Sequence, residues 1–128
     1  MNGKTEEDLE FEKLKLLFDY TKFHIGVYLT LGGIFAGFVA ADAKTPGQFL
    51  FKFDRFWLML AVGFVAIAGF AGGVLVSSMC HATSLKEFWK TSLGPFRGTW
   101  WSAERWTHVE HSAFWIAAAC ALYAFLSR

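Results

Sequence analysis

Apolar positions fall in three long blocks, 23–41, 56–79 and 112–126, and the charged residues are confined to the segments around them. The first block carries one side chain that ionises near neutral pH, His24 at its edge, and the second carries none. A bilayer core of about 30 Å needs roughly 20 apolar helical residues to cross it. Backbone polar groups find no water there, so a single crossing segment has to be helical. The pattern predicts an all-α integral membrane protein, one domain over 1–128, with transmembrane helices at 23–41, 56–79 and 112–127. The third apolar run is the short one, about 22 Å at 1.5 Å per residue. Trp106, Val109 and snorkelling of Arg105 and Arg128 lengthen it to a crossing.

Local signals set the ends of these elements. Thr5 followed by Glu6, Glu7 and Asp8 reads as a helix start with acids in its first turn. Leu14, Leu17, Phe18, Thr21, His24 and Ile25 then recur at helical spacing, predicting one helix from about Glu6 to about Ala41. Such a helix outruns a bilayer core, so residues 1–22 form a cytoplasmic amphipathic extension. It is read either as a solvated helix end lying on the membrane surface or as a bundled contact in an oligomer. Thr45-Pro46-Gly47 marks a turn, with Pro46 suited to the first position of the next helix. Phe49, Phe51, Phe53, Phe56 and Trp57 form an aromatic belt beside it.

Between the second and third spans, Ser84 and Glu87 match a capping box. They predict a short helix with Leu85, Phe88 and Trp89 on one face, ended by Gly94-Pro95. Thr99 or Ser102 caps the helix that enters the third span. Trp89, Phe96, Trp100, Trp101 and Trp106 crowd this stretch, predicting an interfacial connector over 81–111, an in-plane helix and loop at headgroup level.

Composition narrows the picture. Hydrophobic residues make up 55% of the chain and charged residues 18%, unlike a disordered protein. A net charge of +1 gives no bulk attraction to nucleic acid, and no such partner is expected. Acidic residues crowd the N-terminus, so it does not read as a secretory signal. Lys4, Lys13, Lys15, Lys22, Lys86, Lys90, Arg97 and Arg105 flank one side of the spans. Lys44, Lys52, Arg55 and Arg128 flank the other. Basic residues favour the cytoplasmic side. The expected arrangement is a multi-pass protein of a cell (inner) membrane, N-terminus cytoplasmic and C-terminus outside. Cys80 and Cys120 lie at different depths and are not expected to pair.

Each span also carries small residues at helical spacing: Gly26, Gly33, Gly37 and Ala41, then Gly69, Gly73 and Ser77, then Ala113, Ala117 and Ala121. Helices associate in lipid through such close-approach stripes. Gly33, Gly37, Gly69, Gly73, Ala113 and Ala117 are the helix-packing candidates, and a homo-oligomer in the bilayer is expected.

Candidate chemistry is sparse. His24, His81, His108 and His111 all fall near the inner interface, and Glu104, His108 and His111 share one helical face. Imidazoles so placed can ligate a metal or serve as axial haem ligands. His24 with His111 is the best haem pair, and His81 replaces either. Glu104 and Glu110, the carboxylates nearest them, are expected to face headgroups and water. The weightier expectation is that these histidines belong to the interfacial belt, with no metal, cofactor or catalytic residue. No G-x-S-x-G, phosphate loop or H-E-x-x-H is present. Neither clean span holds an acid or base at mid-depth, where pumps and transporters need one. The composite expectation is a non-enzymatic oligomeric scaffold or pore-like effector controlled by a cytoplasmic protein partner. Its rivals are a membrane-anchor subunit of a redox complex holding haem or quinone, and an accessory subunit that stabilises a larger complex.

Overall fold

A computed structural model describes residues 5–48 and 51–127. The chain is all-α and 80% helical, and three of its helices are long and apolar enough to cross a membrane. These are α1 (Glu6–Lys44), α2 (Arg55–Met79) and α4 (Ala103–Leu126). The short α3 (Leu85–Lys90) and a two-strand hairpin, β1 (Ser92–Leu93) with β2 (Trp101–Ser102), sit between α2 and α4. α2 packs against both α1 and α4.

The helix starts follow their caps. Thr5 and Asp8 form a reciprocal capping box at α1, Asp8 N–H donating to Thr5 Oγ1 and Thr5 N–H to Asp8 Oδ2. Ser84 Oγ accepts from Glu87 N–H at α3, and Ser102 Oγ accepts from Arg105 N–H at α4. Of the two caps expected for the last helix, Ser102 is the one used. The start of α2 differs from expectation. Pro46 lies in a turn closed by Gln48 N–H donating to Thr45 O, where Gly47 adopts a left-handed φ of 76°. That reversal prevents a helix from propagating out of Pro46. α2 begins at Arg55 instead, under an Asp54 carboxylate that accepts from Phe56 and Trp57 N–H.

The aromatic residues around the start of α2 pack against the other helices. Phe53 lies 6.3 Å from Phe38 and 5.9 Å from Phe125 between ring centroids, and Trp57 lies 4.8 Å from Tyr123. Asp54 N–H donates to Ala124 O at 2.7 Å, tying the loop to the end of α4. Phe49 falls outside the described residues.

At the other end, the N-terminal extension is held by its own connector. Leu14 is buried in a cluster with Leu75, Met79, Phe88, Leu93 and Trp106. Glu10 accepts from Lys86 N–H at 3.3 Å and from Lys13 Nζ at 3.1 Å, and Lys86 Nζ pairs with Glu6 at 3.1 Å. The start of α1 and the connector therefore share one end of the bundle.

The connector is not simply an in-plane helix and loop. After α3, residues 92–93 pair antiparallel with 101–102, and Pro95–Arg97 turn between them. Phe96 and Arg97 both take left-handed backbone, with φ of 56° and 63°. Each costs about 1–3 kcal/mol for a side-chain-bearing residue and persists only where the surroundings enforce it. Gly94 and Gly98 supply the close approach: a Cβ at Gly94 would stand 2.9 Å from Gly98 O, and one at Gly98 only 2.8 Å from Trp100 Nε1. Trp106 is a core residue of α4, its Nε1–H donating to Leu93 O at 2.9 Å.

Candidate functional site

Helical spacing builds the site. Along α1, Leu14, Thr21 and Tyr28 recur every seven residues and are buried. Along α4, Trp106, Glu110, Ala113 and Ala117 recur at three and four and are buried. These two seams bring Tyr28 and Glu110 together beneath α2. The Tyr28 hydroxyl donates to Glu110 Oε1 at 3.0 Å, and Glu110 is 2% exposed. His24, one turn before Tyr28, brings Nδ1 to 3.7 Å from the same oxygen. That is ion-pair range but beyond hydrogen-bond reach. His24 Nδ1 is itself buried and makes no hydrogen bond.

α2 contributes the absence of a side chain. A Cβ at Gly72 would stand 3.0 Å from Ile25 Cγ1 and 3.7 Å from Glu110 Cδ. Glycine there admits both α1 and the carboxyl group. Gly72 lies seven residues before the end of α2, about 10 Å along the helix. Glu110 is therefore buried against α2 and does not face water as expected. The physical reason is its place on α4: helical spacing puts Glu110 on the same face as Trp106, Ala113 and Ala117, which pack inward. A bare carboxylate at this depth is costly.

His111 completes the group. Its Nδ1 lies 2.8 Å from Thr107 O, and its ring is 6.0 Å from that of His24 at 85°. A carbonyl only accepts, so this bond puts a proton on Nδ1 and leaves the neutral ring's lone pair on Nε2. Tyr20 stacks edge-on against His24 at 4.1 Å. The structure thus brings His24 and His111 together. His81 stands apart, exposed on the wall of a cavity beside the connector, and His108 and Glu104 are exposed on α4. Among the described residues, no three or more His, Cys, Asp or Glu side chains gather closely enough to hold a metal ion. Cys80 and Cys120 are both free thiols.

The small-residue candidates divide into two sets. Ala113 and Ala117 are buried in the bundle, and a Cβ at Gly69 would touch Tyr28 Cβ at 4.0 Å. Gly33, Gly37 and Gly73 are exposed and have nothing within 4 Å of a built Cβ. The intrachain contacts run instead through Gly32, against Val65, and Gly72. On α1 the outward set is Gly26, Gly33 and Gly37, opposite Tyr28 on the helical wheel.

The sequence marks Glu110 only as a carboxylate near the histidines, and it does not single out Tyr28 at all. The seven-residue spacing of Leu14, Thr21 and Tyr28 was the available signal. No family model, curated protein or solved structure matches the chain.

Proposed function

We propose that this protein is a non-enzymatic, homo-oligomeric scaffold or pore-like assembly of a cell membrane, built by association through the outward face of α1. The observation that carries the reading is the division of α1 into two faces. One is pinned to its own chain by Tyr28, His24 and Glu110. The other presents Gly26, Gly33 and Gly37 with nothing against them. Only 6% of the apolar window of α1 is buried, against 39% for α2 and 33% for α4. A glycine face left open on a rigidly held helix suits close packing against a second helix in lipid. The exposed Leu16 and Phe23 flank that face on α1, where a cytoplasmic partner would engage the assembly. Eight of the twelve basic residues on the connector side support a cytoplasmic location for that end.

The test is cross-linking in native membranes. Gly33→Cys or Gly37→Cys, in a chain lacking Cys80 and Cys120, forms a disulfide-linked dimer on oxidation, whereas Leu60→Cys on α2 does not. Equal monomer yields at all three positions contradict the reading.

One observation favours the redox-anchor alternative, the approach of His24 to His111 with Nε2 of His111 left as an acceptor. A Soret band in the purified protein, lost on His111→Ala, supports that alternative. Its absence from protein purified under haem-replete expression supports the scaffold.

A further inference from the structure

A cavity of about 450 Å³ opens beside the connector, between the last turn of α2, α3 and the hairpin. Ser77, Ser78, His81, Glu87, Thr91 and Arg97 are among its walls. It belongs to no part of the Glu110 cluster. Its depth follows from its neighbours: α2 ends at Met79, and Phe96 and Trp100 stand fully or largely exposed on the hairpin that forms its rim. Exposed aromatic residues at the end of a span mark the headgroup layer.

The polar groups on the walls are unevenly matched. Ser77 and Ser78 hydroxyls both donate to Val74 O, and the Thr91 hydroxyl donates to Glu87 O. Their protons are spent on backbone carbonyls, so their oxygens offer lone pairs to an occupant. Glu87 adds a carboxylate, accepting from the Thr83 hydroxyl on one oxygen. Against these acceptors stands Arg97, a permanent cation held at a left-handed backbone position. The cavity therefore asks for an occupant that carries an anion and a multiple N–H donor a few atoms apart.

We propose that this cavity binds the headgroup of phosphatidylethanolamine. The phosphodiester pairs with Arg97, with His81 as a second donor. The primary ammonium donates to Glu87 and to the serine and threonine oxygens. A choline headgroup carries the charge but no N–H, and a glycerol headgroup carries donors but no cation. Phe96 and Trp100 lie among the acyl chains and headgroups of the same leaflet, which keeps the hairpin over the bound lipid.

The experiment is native mass spectrometry of the full chain, delipidated in detergent and offered equimolar phosphatidylethanolamine, phosphatidylcholine and phosphatidylglycerol. The ethanolamine lipid is retained about tenfold over either competitor, the scale of one charge-assisted hydrogen bond. Glu87→Gln, which keeps the bond to Thr83, removes the preference over the choline lipid. Arg97→Gln weakens retention of all three, and circular dichroism confirms that both variants remain helical. Inorganic phosphate in excess does not displace the lipid. Equal retention of the three lipids, a preference for phosphatidylglycerol, displacement by phosphate, or a preference that survives both substitutions overturns the proposal.

Discussion

Tyr28 donates a hydrogen bond to Glu110 at 3.0 Å across 82 positions of sequence, at a buried site it shares with His24. The bond joins the first long helix to the last and fixes which face of α1 turns inward. Tyr28→Phe leaves the Glu110 carboxyl group without its hydroxyl donor. The expected loss is about 1–3 kcal/mol, the cost of stranding a buried polar group. Replacing both partners, Tyr28→Phe with Glu110→Leu, is milder than the sum of the single losses. Thermal unfolding in one detergent, read as a double-mutant cycle, checks this. Strict additivity means that the two residues do not interact.

Gly72→Ala tests the close approach of α2. The new Cβ meets Ile25 Cγ1 at 3.0 Å and presses towards the Glu110 carboxyl group. Overpacking of this kind costs about 1–3 kcal/mol. Gly73→Ala, with nothing within 4 Å, is the control and leaves the unfolding midpoint of the isolated chain unchanged. Equal effects at the two positions would show that the α1–α2 packing is misassigned.

Much of this arrangement was legible in the sequence. The three long helices appear as three apolar blocks, with no Asp, Glu, Lys or Arg within 23–41, 56–79 or 112–126. The caps at Thr5, Ser84 and Ser102 appear because side-chain oxygens must serve the first N–H groups of a helix. What was hidden depends on rotation about helix axes. Glu110 lies just outside the third apolar run, and it turns inward because it shares a helix face with Trp106, Ala113 and Ala117. Pro46 offered a helix start that Gly47 and the Asp54 cap override. The pairing of Ser92 and Leu93 with Trp101 and Ser102 is too short to leave an alternating pattern.

The junction between the extension and α3 depends on pH at both extremes. The hydrogen bond from Lys13, which outweighs desolvation and is aided by Lys86, holds the Glu10 carboxyl group below its ordinary range. A lowered carboxylate contributes stability above its unfolded pKa of about 4.3 and loses it as pH falls through the folded value. The bond to Glu6 raises the Lys86 ammonium above its ordinary range. Its contribution is present below about pH 10.4 and lost as pH rises through the folded value. Protection of the Lys86 and Phe88 amides, corrected for intrinsic exchange at each pH, is highest between these limits and falls beyond each. Glu10→Gln removes the Glu10 part of the acid-side change and weakens the alkaline-side one less, because Glu6 is the main cause of the Lys86 shift. A flat pH profile in the native chain contradicts this account of the junction.

The start of α1 and the connector share one end of the bundle, and the basic residues favour the cytoplasm for it. In a chain lacking Cys80 and Cys120, Glu7→Cys and Lys90→Cys resist an impermeant maleimide in intact cells and react after permeabilisation. Ser127→Cys reacts in both. Labelling of the first two from outside reverses the orientation.

The central claim is association through the outward glycine face of α1. The most direct measurement is the mass of the detergent-solubilised particle, by light scattering corrected for bound detergent, for the native chain and for Gly33→Leu with Gly37→Leu. The account predicts a native particle that is a whole-number multiple of the 14.4 kDa chain, greater than one. It also predicts that the double substitution falls to a folded monomer whose unfolding midpoint is close to that of a natively sequenced monomer obtained by dilution. A native particle that is monomeric in mild detergent and in lipid nanodiscs, or an oligomer unchanged by the two leucines, contradicts it.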